Sequence, residues 1–189
     1  MKLHYVLFLV LLLPSVSYAE LKNENLLVTV PKGYKIDFKI RKDNMIMTEM
    51  VPESESVKNW TEMVTTQVFL GLKNVTPKQF EQRMNKIWMS VCKEAEMVSI
   101  REGKENGYPF AVWLQECPLN KSTGKRELTL FKAIKGNDSF YVIQKAFRFV
   151  PSKEQFSKWV RFIRSASVCD TRHENHSCPD GFQTSDVES

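Results

Sequence analysis

The chain has 189 residues, 42% of them hydrophobic, with 27 basic and 22 acidic side chains that give a formal net charge of +5. This length and composition suit one globular domain with its own core. The three histidines, His4, His173 and His176, lie near the two ends of the chain. The central part therefore excludes imidazole-based catalytic triads, Cys/His dyads and most histidine-ligated zinc hydrolases.

The N-terminus has the pattern of a secretory signal. Lys2 precedes an apolar run over Tyr5–Leu13, and the small residues Ser17 and Ala19 follow it. The run has about ten residues, whereas roughly 20 are needed to span a bilayer. We predict that residues 1–19 are a cleaved signal peptide. The mature protein is expected to be secreted or periplasmic, with no transmembrane segment.

Alternating apolar residues and turn signals predict eight strands. In chain order they cover residues 26–30, 34–40, 44–51, 59–70, 97–102, 108–116, 127–134 and 140–150. Thr76 with Gln79, and Ser152 with Gln155, are capping-box pairs that begin two amphipathic helices. The order of strands, helix, strands and helix, with tight turns, predicts an α+β fold. We expect a central antiparallel sheet with a helix packed on each face.

Charge divides the mature chain into two parts. Residues 20–169 carry 25 basic and 17 acidic side chains, a net charge of +8, and we predict that they form one domain. Residues 170–189 carry five acids and one base, a net charge of −4. We predict an acidic and largely disordered tail over these residues.

The four cysteines predict two disulfides, because the count is even and the chain is exported. Three connectivities are possible, and the spacing favours Cys92–Cys117 and Cys169–Cys178.

A zinc site is the alternative for the second cysteine pair. Cys169 and Cys178, together with His173 and His176, offer two thiolates and two imidazoles. Their spacing matches no common zinc finger, and an oxidising compartment favours the disulfide. We predict no metal site and no cofactor.

Short stretches at Pro31-Lys32-Gly33-Tyr34, Ser56 to Val64 and Glu127 to Gln144 carry a family resemblance. Cys92 and Cys117 flank Asn106-Gly107-Tyr108 and fit the same pattern. The chain resembles small exported Gram-negative proteins of the PsbP-like fold. The resemblance implies an α/β/α sandwich that serves binding or assembly rather than catalysis. It also implies type II secretion as a route of release. The acidic tail has no counterpart in this pattern.

Trp60 and Trp113 lie in predicted strands, where one face can be exposed. Five lysines come near them by strand alternation: Lys35, Lys39, Lys58, Lys132 and Lys145. These residues predict an aromatic and basic binding surface at one sheet edge. Packing in the core is the favoured alternative for both tryptophans.

The chain also offers carboxylates for a hydrolase: Glu49, Glu53, Glu55, Glu94, Glu96, Glu102 and Glu105. Glycoside hydrolysis needs two carboxylates that face each other across a cleft, and no sequence pattern indicates such a pair. We predict no catalytic residues. No aromatic RNA-binding motif and no basic helix is present, so we expect no nucleic-acid partner.

The leading functional hypothesis is a non-enzymatic exported binding module, or a secreted effector, that recognises a protein or an anionic surface. The alternative is a periplasmic carrier that holds a small apolar or lipid ligand between the sheet and a helix. A carboxylate-based hydrolase is the third hypothesis.

Overall fold

The computed structural model describes residues 21–121 and 123–179. Within them the chain forms a seven-stranded antiparallel sheet, a separate strand pair and two α-helices. The elements in chain order are β1 (Glu24–Leu27), β2 (Tyr34–Lys42), β3 (Met45–Pro52), β4 (Glu62–Leu70), α1 (Pro77–Val91), β5 (Glu96–Glu105), β6 (Tyr108–Asn120), β7 (Lys125–Lys135), β8 (Ser139–Phe147), α2 (Lys153–Ser165), β9 (Ser167–Asp170) and a 3₁₀ turn (Glu174–His176). The predicted antiparallel sheet with two helices is confirmed.

The large sheet has the strand order β2-β3-β4-β8-β7-β6-β5. Every pair of neighbouring strands is antiparallel. Strand β8 lies at the centre, whereas β2 and β5 are the two edges. Strand β1 pairs with β9 outside this sheet.

Alternation along β6 shows how the helices are placed. Phe110 and Val112 pack in a cluster that includes Ile163 of α2. Ala111 and Trp113 pack in another cluster, which includes Phe80 of α1. Because successive strand residues point to opposite faces, the two helices contact opposite faces of the sheet. These are called the α1 face and the α2 face below.

Both predicted helix starts are confirmed. The Thr76 side chain accepts from the Gln79 N–H and the Gln79 side chain accepts from the Thr76 N–H, and Ser152 and Gln155 do the same. Each capping box satisfies two N–H groups that would otherwise lack partners at a helix start. Helix α1 has 15 residues and α2 has 13, and no helix in the described ranges is long and apolar enough to cross a membrane.

Both disulfides favoured by the spacing are present. Cys92 is the residue that caps the end of α1, and Cys117 lies on β6. The bridge closes a loop with a sequence separation of 25. In the chain-entropy treatment, a loop of this size contributes on the order of 3 kcal/mol to the stability of the domain.

Two predicted strands are shorter in the structure. Strand β4 begins at Glu62 rather than at residue 59, because the Asn59 N–H bonds back to the Ser56 carbonyl in a turn. Strand β8 ends at Phe147 rather than at residue 150. One further bond, from the Arg148 N–H to the Thr61 carbonyl, follows the last pair of the ladder, Glu62 and Phe147.

The structure differs from the predicted boundary between domain and tail after Cys169. Asp170 is the last residue of β9, is fully buried, and pairs with Arg172 at 2.6 Å. Further along, the His176 ring stacks on Tyr108 with 4.4 Å between ring centroids. The start of the predicted tail is therefore packed on the domain. The rest of it, residues 180–189, lies outside the described residues, as does the predicted signal peptide.

Candidate functional site

A groove of about 430 Å³ lies between α2 and the strands β5, β6 and β7. Its volume is in the range of small-molecule sites in proteins. Its floor is apolar and is formed by residues of both the sheet and α2: Phe110, Val112, Leu130, Phe156, Val160 and Ile163. Charged residues border this floor: Arg101, Glu105, Lys132 and Arg164 face it, and Lys104 lies at its edge, opposite Pro109 on the other face of β5. We call this site the cationic groove.

Helix α2 forms one wall through residues on a single stripe. Phe156, Val160, Ile163 and Arg164 follow one another at helical spacing, so they share one side of the helix. Ile163 is fully buried, whereas Arg164 is exposed at the end of the helix. The stripe therefore passes from apolar in the floor to cationic at the mouth.

Strand β5 forms the other wall through alternate residues. Arg101, Gly103 and Glu105 oppose Val112, Phe110 and Tyr108 of β6. A β-bulge between residues 99 and 101 shifts the pairing by one position and so brings Arg101 to this face.

The β5 wall has no side chain at Gly103, beside the ring of Phe110. A Cβ atom at this position would lie 3.4 Å from Cε1 of Phe110, in contact with the ring. Gly103 does not have a positive φ, so its backbone does not require glycine. The missing side chain instead allows the buried ring of Phe110 to pack closely against the β5 backbone between Arg101 and Glu105.

Lys132 is the buried cation of the groove. Its ammonium donates to the carbonyl of Ala166 at 2.5 Å and to that of Arg164 at 3.3 Å, and it pairs with the Glu105 carboxylate. It also lies 5.2 Å from the centre of the Phe110 ring. Burial lowers the pKa of Lys132, Glu105 opposes that shift, and repulsion from Arg101 and Arg164 adds to it.

The three other cations of the groove differ from Lys132 in having no counter-charge. Among the described residues, no ion pair involves Arg101, Lys104 or Arg164. The Arg101 guanidinium lies 5.8 Å from the centre of the Phe110 ring. The groove thus joins three cations, Arg101, Lys132 and Arg164, and one carboxylate to an apolar floor, which suits a ligand with an anionic end and an apolar body.

The predicted aromatic and basic surface is wrong as a single surface. Trp113 is fully buried, stacks on Phe131 at 4.8 Å, and donates its indole N–H to Gln115 at 3.1 Å. Trp60 is also buried, with the Arg148 guanidinium 3.7 Å from its ring centre. The favoured alternative, core packing of both tryptophans, is confirmed.

The five predicted lysines also fail to form one surface. Lys35 and Lys39 lie on β2, at the sheet edge opposite to the groove, and Lys58 lies in the loop before β4. Lys132 and Lys145 are buried, because their side chains point to the same face as the apolar residues of β7 and β8. Only Lys132 lines the cationic groove.

Lys145 occupies an enclosed cage on the α2 face. Its ammonium donates to the Tyr34 hydroxyl and to the Glu62 carboxylate, each at 2.7 Å. The ring centres of Trp159, Tyr34 and Phe147 lie 3.7, 4.8 and 4.9 Å from it. Burial lowers the pKa of Lys145 to about 8 although Glu62 raises it, and burial with the Glu62 contact raises the pKa of Tyr34.

The alternative zinc site is not formed by the residues suggested for it. Cys169 and Cys178 are bonded to each other, and Nδ1 of His176 lies 2.7 Å from the Asn106 carbonyl. The described part of the chain contains no group of three or more histidine, cysteine, aspartate or glutamate side chains arranged to hold a metal.

The groove residues Arg101, Lys104 and Arg164 were not predicted from the sequence. One signal was available, because a glycine inside a strand indicates a close approach or an open space, and Gly103 lies between two charged residues. The predicted strand ended at residue 102, so Gly103 and Glu105 were not placed on it.

The sequence matches no protein family and no curated protein. Similar solved structures include a point mutant of the protein Mog1, with 14% identity, 72% of this chain and 78% of that chain covered, and a TM-score of 0.44. The Ran-binding protein Mog1p of Saccharomyces cerevisiae has 13% identity, covers 75% and 84%, and has a TM-score of 0.43. LpqN of Mycobacterium tuberculosis, involved in cell envelope biogenesis, has 8% identity, covers 79% and 86%, and has a TM-score of 0.41. Likenesses this weak carry no information on the function of this chain. Three statements therefore remain predictions: the PsbP-like resemblance, the Gram-negative origin and type II secretion.

Proposed function

We propose that this protein is a non-enzymatic binding protein of an oxidising, extracytoplasmic compartment that holds an anionic amphiphile in the cationic groove. The observation that carries the proposal is the position of Arg101 and Arg164, which have no ion pair among the described residues, beside an apolar floor. Two disulfides support the compartment.

Each part of the groove has a separate role in this proposal. The acid group of the ligand pairs with Arg101 and Arg164, whose guanidinium groups suit carboxylate or phosphate oxygens. The apolar body lies on the floor formed by α2 and the sheet, where burial contributes roughly 25 cal/mol per Å² of apolar surface removed from water. The charged end selects the ligand class, and the apolar end supplies affinity.

The groove favours a carrier over the other functions suggested by the sequence. A basic surface for a protein or membrane partner needs exposed cations on one face, whereas the lysines predicted for it are spread over one sheet edge, a loop and the core. A carboxylate hydrolase needs two acids in one cleft. Of the seven candidate glutamates, Glu105 alone is among the groove-lining residues.

Isothermal titration calorimetry with three ten-carbon probes tests the proposal. Decanoate and decyl phosphate are expected to bind at one site per chain, and decyltrimethylammonium is not. All three probes are used below the concentration at which they form micelles. Absence of binding by both anionic probes would contradict the proposed function.

Two double variants with the same change in net charge locate the site. R101Q/R164Q removes two groove cations and should weaken decyl phosphate binding at least tenfold. R83Q/K86Q removes two exposed cations from α1, on the other face of the sheet, and should leave binding within twofold of the wild type. Equal losses in the two variants would indicate a general charge effect rather than a groove site.

A further inference from the structure

Glu105 and Lys132 form the one ion pair inside the cationic groove among the described residues, and the two partners are exposed to different degrees. The Lys132 side chain is 2% exposed, whereas that of Glu105 is 39% exposed. Glu105 is the last residue of β5, so its carboxylate reaches the ammonium from the mouth of the groove. One partner is thus fixed in the floor, and the other can turn out into water.

The Lys132 ammonium does not depend on Glu105 for its position. An ammonium has three N–H donors, and two of its bonds here go to the carbonyls of Arg164 and Ala166. These carbonyls belong to the end of α2, where the partial negative charge of the helix favours a cation. If Glu105 moved away, the ammonium would keep two acceptors and could bond to another anion.

The cations around Glu105 outnumber it. Arg101 and Arg164 are close enough to Lys132 for their charge to lower its pKa. A single carboxylate therefore lies among three positive groups, and Arg101 and Arg164 have no ion pair within the described ranges. Any ligand acid group attracted to Arg101 and Arg164 meets the Glu105 carboxylate as a neighbour of like charge.

We propose that Glu105 is an internal anion that occupies the cation site of the empty groove, and that the acid group of the ligand replaces it on Lys132. This inference rests on the proposed function, because it describes how the same groove admits its ligand. Glu105 then lowers the affinity for every anionic ligand and keeps Lys132 paired when no ligand is present.

The test compares E105Q with E102Q in titrations with decyl phosphate. Glutamine keeps the size of glutamate and one hydrogen-bond acceptor for Lys132, but it removes the charge. Glu102 lies on the same strand, opposes Ala111 on the α1 face, and pairs with Lys78. E102Q therefore makes the same change in net charge three residues from Glu105 and on the opposite face of the sheet.

E105Q is expected to bind decyl phosphate about tenfold more tightly than the wild type, and E102Q within twofold of it. Decyltrimethylammonium should gain nothing from either change. Circular dichroism and the urea midpoint of E105Q should remain those of the wild type, which shows that the gain does not arise from a changed fold.

The possible outcomes separate the two proposals. If the wild type binds decyl phosphate and E105Q binds it equally or more weakly, Glu105 does not compete with the ligand and this inference is wrong, while the proposed function stands. If E105Q and E102Q gain equally, the effect is long-range charge and the inference is also wrong. If neither the wild type nor E105Q binds, the proposed function itself fails.

Discussion

The two buried lysines of the α2 face, Lys132 and Lys145, have the same chemistry in different surroundings. They lie on the neighbouring strands β7 and β8, and each pairs with a glutamate and lies within about 5 Å of an aromatic ring centre. Three aromatic rings enclose Lys145, whereas Lys132 borders a groove of about 430 Å³.

This difference separates a structural lysine from a candidate binding residue. The ammonium of Lys145 donates to Glu62 and Tyr34, and its side chain is fully buried among the rings of its cage. The acceptors of Lys132 are two main-chain carbonyls and a half-exposed carboxylate that can be exchanged. Burial alone therefore does not identify a functional lysine, but an open space beside an exchangeable partner does.

The largest expected effect is the difference in stability between the variants that remove the glutamate partner of each lysine, Glu62 for Lys145 and Glu105 for Lys132. E62A leaves the Lys145 ammonium buried without a counter-charge, which costs about 3–5 kcal/mol of the free energy of unfolding. E105A should cost less than about 1 kcal/mol, because Glu105 is half-exposed and Lys132 keeps two carbonyls. Urea unfolding of the two variants measures both values, and similar losses would contradict the contrast between the lysines.

The pH dependence of stability gives the next largest effect. The pKa of Lys145 is about 8 in the folded chain and near its ordinary value of 10.5 in the unfolded chain. Between these two values the unfolded chain holds a proton that the folded chain has lost. Stability should therefore rise with pH above about 8, by at most about 1.4 kcal/mol per pH unit.

K145M is the matched variant for this measurement. It lacks the titrating group, so its free energy of unfolding should rise less than that of the wild type from pH 7.5 to 9.5. The range ends below pH 10 because the raised pKa values of Tyr34, Tyr108 and Tyr141 act in the opposite direction there. A parallel rise in K145M would show that Lys145 does not cause the slope.

The smallest expected effect concerns α2, which contacts Lys145 through Trp159 near its middle and Lys132 through carbonyls at its C-terminal end. Ser152 caps its first turn, and S152A should cost about 1 kcal/mol of stability. The first turn leads to Trp159 of the Lys145 cage, whereas Lys132 bonds to carbonyls at the other end. Amide hydrogen exchange should accelerate in the first turn of α2 and not in its last turn, and equal acceleration in both turns would argue against separate environments.

The burial of both lysines could have been predicted from strand alternation. In β7, Lys132 shares its face with Leu130 and Ile134, and in β8, Lys145 shares its face with Ile143 and Phe147. Such alternation indicates burial on an apolar face rather than a surface patch. The predicted binding surface was wrong because it weighted the charge of these lysines above their position in the pattern.

The groove itself could not be predicted from strand alternation. Its walls come from β5 and α2, and the three partners of Lys132 are 27, 32 and 34 residues away in sequence. Its wall depends on a β-bulge near Arg101 and on the close approach of Phe110 to Gly103. Local patterns indicate which face a residue takes, but they do not specify which distant elements meet there.

The sequence by itself determined the features that depend on short-range interactions. These are the order of the first eight strands and the two helices, both capping boxes and the two disulfides favoured by spacing, whereas β9 was not predicted. Hydrogen bonds between near neighbours, side-chain alternation and loop length set them, so a short window of residues contains the information. Only the tertiary structure decided which buried lysine is enclosed and which one borders an open groove, because enclosure depends on packing between segments far apart in the chain.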